Sequence, residues 1–280
     1  DEFSPDNTKI AFVRNNNLFY VTLSDFNEKP VTKDGKINKI INGATDWVYE
    51  EEFSIHKGFE WSPDGKKLAY YVFDETDVKE FQMKMYGTLY PTHYKFKYPK
   101  AGEDNSLISI RIFDTQYDRH FVFDVGNNPD IYIPRIMWSK RRDELIVFKM
   151  NRLQNKLELL SGTFSMDTPN NIGIRTKPIY TENSTTYIDI HDNTSFINEN
   201  EFIWTSEKDG YNHIYLINYA NGTEKQLTSG DWDVTEVYGY ASQSKKIFFQ
   251  AAKSHPTKRE IYALYTLSLI HISEPTRLRS

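Results

Sequence analysis

The 280-residue sequence predicts an all-β fold, a β-propeller of about five blades or part-blades of a larger propeller, each a four-stranded antiparallel sheet. Three observations predict it. A strand–turn–strand sentence recurs along the chain, its strands are short and rich in β-branched and aromatic residues, and helical periodicity is confined to one short stretch near Trp47 to Phe53.

The first copy reads Phe3-Ser4-Pro5-Asp6-Asn7, then Lys9-Ile10-Ala11-Phe12-Val13, then Asn17-Leu18-Phe19-Tyr20-Val21. The second opens on Trp61-Ser62-Pro63-Asp64-Gly65 and continues into Lys67-Leu68-Ala69-Tyr70-Tyr71; a third runs from Trp138-Ser139 to Glu144-Leu145-Ile146-Val147-Phe148. Weaker copies link Phe202-Ile203-Trp204-Thr205-Ser206 to His213-Ile214-Tyr215-Leu216, and Lys246-Ile247-Phe248-Phe249 to Glu260-Ile261-Tyr262-Ala263-Leu264. Where the turn is complete, Pro pre-sets one dihedral and Gly or Asn accepts positive φ, so the product is a hairpin. Spaced not far from the ~40–45 residues of a four-stranded blade, such hairpins make a propeller rather than a sandwich. The turn motif alone does not separate an enzyme-associated propeller from a scaffold.

Two segments interrupt the rhythm. Residues Asp74 to Asn105 form a Tyr-rich excursion, and Asn151 to Asn170 a polar one ending in Asp167-Thr168-Pro169-Asn170. Insertions in a propeller go to loops at its faces or edges, where binding resides, with a long decorated hairpin as the equal alternative for the second. The aromatic residues from Tyr86 to Tyr98 are assigned to core and rim packing. Residues 268–280 continue no blade and are read as a non-native tail, which leaves 1–267 as a partial propeller domain.

Composition narrows the function. With 39% hydrophobic and 15% aromatic residues the chain buries a sizeable core. Its 34 Lys and Arg are interspersed with 39 Asp and Glu for a net charge of −5, which argues against nucleic acid as a partner. The absence of cysteine excludes disulfides, Cys-ligated zinc and a cysteine nucleophile. No apolar run reaches the ~18 residues of a transmembrane segment. Asp189, His191 and Asp192 invite a metal reading, but alternation along a strand separates Asp192 from the other two, so neither a metal nor a cofactor is expected.

The segment with the most chemistry is Thr45-Asp46-Trp47-Val48-Tyr49-Glu50-Glu51-Glu52-Phe53, three successive carboxylates after an aromatic cluster. Side by side they repel, and inside a folded site they invite an ammonium or guanidinium partner. A solvated acidic turn is the alternative that these residues leave open.

The stretch Asp46 to Glu52 resembles the double-glutamate motif of the dipeptidyl peptidase IV family, within the prolyl oligopeptidase superfamily of serine exopeptidases. Trp61-Ser62-Pro63-Asp64-Gly65, Phe73-Asp74-Glu75-Thr76-Asp77-Val78 and Tyr98-Pro99-Lys100-Ala101-Gly102-Glu103-Asp104-Asn105 follow in the family's order. A thinner, blade-level similarity extends from Phe3 to about Leu267, and a bacterial member is expected. The resemblance implies an N-terminal propeller covering an α/β-hydrolase domain, with a peptide substrate held between them. It implies that the short helix projects into that cavity, that Glu51 and Glu52 bind the substrate's free amino group, and that Glu50, Trp47 and Tyr49 support them. It further implies release of N-terminal dipeptides with Pro or Ala second, a periplasmic, extracellular or cell-surface parent, and the absent hydrolase domain of the same chain as partner; a homodimer of the parent stays open.

The departures matter as much. None of the 13 glycines has Ser two positions later, so the Gly-x-Ser-x-Gly nucleophile elbow is absent; no catalytic residue is expected in this chain, which should be inactive alone. Around Tyr187-Ile188-Asp189-Ile190-His191, where some relatives place a second substrate-side arginine, none stands. Two alternatives therefore remain, the propeller of a prolyl tripeptidyl peptidase and a non-catalytic propeller binding module.

Overall fold

The computed structural model describes residues 1–141, 143–168, 171–266 and 272–273. Among them the strands pair as five blade-type antiparallel sheets and one separate hairpin, as the repeats predict. The first sheet is β1 (Glu2–Phe3), β2 (Lys9–Arg14), β3 (Asn17–Thr22) and β4 (Asn27–Pro30), in chain order. The second is built from β5 (Ile40–Asn42), β6 (Phe59–Trp61), β7 (Lys67–Asp74), β10 (Leu107–Asp114) and β11 (Arg119–Phe123). The only helix among the described residues, α1 (Trp47–Phe53), lies between β5 and β6, and the hairpin β8 (Glu80–Met85) with β9 (Thr92–Lys97) between β7 and β10. The remaining sheets are again in chain order: β12 (Ile131–Trp138), β13 (Glu144–Asn151), β14 (Lys156–Thr168) and β15 (Asn171–Asn183); β16 (Ser195–Phe196), β17 (Glu201–Ser206), β18 (His213–Asn218) and β19 (Glu224–Gln226); and β20 (Val234–Ala241), β21 (Lys246–Ala251), β22 (Glu260–Tyr265) and β23 (Ile272–Ser273). The chain divides into two compact units, residues 1–138, 143–152 and 160–177, and residues 139–142, 153–159 and 178–280.

In the first unit the repeated turn sequence becomes a repeated hydrogen-bond pattern. Ser4 Oγ donates to Asp6 Oδ1 at 2.6 Å and accepts from Lys9 N–H at 2.9 Å; Ser62 Oγ donates to Asp64 Oδ1 at 2.7 Å and accepts from Lys67 N–H at 2.9 Å. Asn7 at φ 56° and Gly65 at φ 67° take the left-handed position that closes each turn. The Ser4 hydroxyl is the main reason the Asp6 carboxyl is pulled down to about 2. Trp61 Nε1 donates to Glu2 O at 3.3 Å and Trp138 Nε1 to Glu60 O at 3.2 Å, so equivalent tryptophans in successive copies tie to the residue that precedes the aromatic of the copy before.

Strand β7 (KLAYYVFD) is buried along nearly its whole length, which is why it reads as a continuous apolar run rather than an alternation. Leu68, Tyr70 and Val72 pack with Ala11, Leu18 and Tyr20 of the first sheet. Tyr71 and Phe73, on the opposite face, stack on each other with centroids 5.9 Å apart. The second unit has its own core, in which Ile203 and Ile214 pack with Trp232, Val234, Ile247 and Phe249.

Four expectations are corrected or refined here. The aromatic stretch Tyr86 to Tyr98 is not core packing: β8 and β9 form a two-stranded arm whose residues from Glu80 to Lys95 are exposed, and only Phe96, Lys97 and Tyr98 are half-buried. A hairpin without a third strand covers only part of its own surface, so its apolar side chains stay in water. Asn151 to Asn170 is the decorated-hairpin alternative, the long strand β14 leading to β15; Pro169 and Asn170 lie outside the described residues. Tyr187 to His191 is not a strand, because Ile188 N–H donates to Gln154 O and Ser184 Oγ caps Thr186 N–H in place of a ladder. Within 268–280, Ile272–Ser273 add a fourth strand to β22, whose free edge accepts extended backbone, and the rest of that segment lies outside the described residues.

Candidate functional site

The site grows from an interruption in one sheet edge. Strands β5 and β6 share the same edge of β7, β5 opposite residues 72–74 and β6 opposite residues 68–70. Between them the chain leaves the edge at Gly43 and rejoins it at Gly58, where Gly58 N–H donates to Gly43 O at 3.0 Å and the pair brackets Tyr71 through 2.9 Å backbone hydrogen bonds. A Cβ on Gly58 would stand 2.7 Å from the Ala44 carbonyl oxygen, so this crossing requires glycine. Thr45 Oγ1 donates to Ile55 O at 2.7 Å and closes the loop a second time, leaving α1 at its tip.

The helix is short, and its ends are therefore decisive. Asp46 is the N-cap, and its Oδ1 accepts from Tyr49 N–H at 3.0 Å while its Oδ2 accepts from the Ser106 hydroxyl at 2.6 Å. Ser54 ends the helix at φ 54°, with its N–H on Tyr49 O. Val48, Tyr49 and Phe53 form the buried face. Tyr49 is 3% exposed and sits among Phe53, Tyr71, Phe73 and Tyr132, with ring centroids 4.8–6.3 Å away. Its hydroxyl accepts from Ile133 N–H at 2.8 Å, and burial pushes the phenol well above its ordinary pKa, so it stays neutral. Trp47 packs edge-on against Tyr98 at 4.3 Å.

Seating that face turns Glu50, Glu51 and Glu52 outward, and all three are exposed. Glu50 stands 3.9 Å from the exposed His56 ring. Among the described residues no side chain bonds to the carboxylates of Glu51 or Glu52, and the last turn of α1 carries no basic residue. Two adjacent anions at the negative end of a helix, on a rigidly seated segment, make a strong acceptor for a cation. Three of the residues named from the sequence thus form the outward acidic face, and two, Trp47 and Tyr49, hold the helix from below. The sequence reading gave no role to Asp46, Ser106, Tyr71 or Arg135, which fix its position.

Beside α1, between its N-terminal end and the arm, lies a cleft of about 460 Å³ lined by Trp47, Glu50, Glu75, Met83, Tyr94 and Phe96 among others. Burial, and then the neighbouring Asp46 charge, push the Glu75 carboxyl up to about 7; burial likewise raises Asp46, against the Ser106 hydrogen bond. A carboxyl raised in the folded state binds a proton there that the unfolded chain has already released, so its contribution to stability is present below the unfolded value and lost as pH rises through about 7. The wild-type urea midpoint should therefore fall between about pH 5 and pH 8, and Glu75→Gln should flatten that fall and raise the midpoint at the higher pH. An unchanged slope in the Gln variant would place the titration elsewhere.

Comparison with known proteins identifies one family over nearly the whole chain. The family model described as the dipeptidyl peptidase IV N-terminal region matches residues 1–278. The chain is 30% identical to the Bos taurus protein named prolyl endopeptidase FAP, covering 94% of this chain and 36% of the relative, and 28% identical to Trichophyton rubrum dipeptidyl peptidase 4, covering 94% and 35%. Its structure matches the crystal structure of Porphyromonas gingivalis dipeptidyl peptidase 4 with a TM-score of 0.86 at 38% identity, over 97% of this chain and 38% of that one. The chain therefore spans little more than a third of the length of these relatives.

Proposed function

Because the chain belongs to the dipeptidyl peptidase IV N-terminal region family, we propose that it is the substrate-anchoring propeller of a serine exopeptidase that releases N-terminal dipeptides, with Pro or Ala second. In this reading Glu51 and Glu52 receive the free amino group of the peptide, and the nucleophile and its base belong to an α/β-hydrolase domain elsewhere in the parent protein. The observation that carries it is the pair of exposed, outward carboxylates on a helix whose first turn is fixed by buried hydrogen bonds through Asp46 and Tyr49.

Such an arrangement works as a ruler. An ammonium held at one point and a scissile carbonyl at another admit only a set number of residues between them, and positioning of this kind lowers the barrier to attack. The charge-assisted hydrogen bonds from one ammonium to two carboxylates also relieve the repulsion between the carboxylates. Peptides blocked at the N-terminus lose both contributions.

The test is product analysis with the full-length parent. Incubated with an unblocked decapeptide carrying Pro second, it should release the N-terminal dipeptide, identified by mass spectrometry, and leave the N-acetylated peptide almost untouched. Release of a tripeptide, equal cleavage of the blocked peptide, or no cleavage at all contradicts the reading.

A further inference from the structure

We infer that Arg135 is a positioning residue for the amine anchor, holding the C-terminal end of α1 so that Glu51 and Glu52 keep their place; the inference rests on the reading just given. It starts from an irregularity in β12. The pairing of β12 with β13 is regular from Arg135 onward but shifts register between Tyr132 and Arg135. Pro134 lies inside that shift and has no N–H to give to a ladder.

The bulge frees Ile133 from the sheet, and both of its backbone groups turn to aromatic hydroxyls. Its N–H donates to Tyr49 Oη at 2.8 Å, and its carbonyl accepts from Tyr71 Oη at 3.1 Å. Two residues on, Arg135 Nη1 donates to Phe53 O at 2.8 Å and to Pro134 O at 2.7 Å. One bulge thus grips α1 through Tyr49 in its first turn and through the carbonyl of its last residue. That carbonyl is one of the groups a helix leaves without an internal partner, and a guanidinium there opposes the negative end of a helix that already carries three carboxylates. Bulges that re-aim backbone groups concentrate beside functional sites, and this one is aimed at the helix with the acidic face.

A purely stabilising arginine and a positioning one differ in what they couple to. In the full-length parent, Arg135→Met keeps the packed stem and removes the guanidinium. For a Gly-Pro reporter with a free amine, KM should rise by about 10- to 100-fold with kcat little changed, because a misplaced anchor weakens binding before it affects chemistry. The N-acetylated reporter should show no such rise. In a Glu51→Gln/Glu52→Gln background, Arg135→Met should add nothing, since the groups it positions are already neutral. Arg135→Lys, with a single donor nitrogen and no planar fork, should fall between wild type and Met, and it carries the test should the Met variant not fold. Equal losses on blocked and free substrates, or a loss that persists undiminished in the double-Gln background, would show that Arg135 only stabilises the fold and overturn the inference. If the double-Gln enzyme itself still prefers free amines, the amine-anchor reading fails first, and visibly so, whatever Arg135 does.

Discussion

Replacing Glu51 or Glu52 by Gln in the full-length parent is expected to lower kcat/KM for a free-amine Xaa-Pro substrate by roughly one and a half to three and a half powers of ten. Gln keeps the shape of Glu and removes the charge, and loss of one partner from a desolvated, hydrogen-bonded charge pair costs about 2–5 kcal/mol, at about 1.4 kcal/mol per tenfold. The loss should be confined to substrates with a free ammonium. Glu50→Gln should matter less, because Glu50 lies toward His56 and the cleft rather than alone on the acidic face. Unfolding midpoints of the Gln variants should stay level or rise slightly as like charges are separated. Wild-type turnover in both variants, or activity lost only in step with folding, would return the acidic run to the status of a solvated turn.

Tyr49 carries the second large effect. Tyr49→Ala deletes a buried ring among Phe53, Tyr71, Phe73 and Tyr132 and should cost about 3–5 kcal/mol of stability. Tyr49→Phe keeps the ring and removes only the acceptor for Ile133 N–H, a backbone donor that the β12 bulge has already taken out of its ladder. An unsatisfied donor of this kind costs about 1–3 kcal/mol. Denaturant midpoints of the three proteins should therefore rank wild type, Phe, Ala, with the amine-dependent activity falling in the same order. A Phe variant as stable as wild type would show that the ring packs the helix but the phenol does not seat it.

The blades that open on a complete turn were legible because that turn is written in local chemistry: Ser62, Pro63, Asp64 and Gly65 hold their hairpin through contacts within five residues of one another. The helix was legible as the one short helical stretch near Trp47 to Phe53, although its local N-cap, Asp46 accepting from Tyr49 N–H, went unread. What fixes that helix in space was not. Ser106 reaches Asp46 across 60 residues and Arg135 reaches Phe53 across 82, and nothing local in either segment announces the partner. One signal was present: Pro134 within an otherwise regular strand marks a bulge. The stretch Tyr86 to Tyr98 was misread because aromatic composition reports apolar surface without reporting whether anything covers it. The segment around His191 failed in the opposite sense, its apolar and polar residues alternating over a stretch that Gln154 and Ser184 hold in an irregular path.

The most direct test of the amine anchor is the ratio of kcat/KM for a Gly-Pro reporter with a free N-terminus to that for its N-acetylated form, measured in the full-length parent and in its Glu51→Gln/Glu52→Gln variant. If α1 presents the two carboxylates to the substrate ammonium, the ratio is large in the wild type and collapses toward one in the double variant, through loss of the free-amine reaction while the blocked reaction holds steady. A ratio that stays at its wild-type value in a folded double variant would contradict the assignment of Glu51 and Glu52 as the anchor.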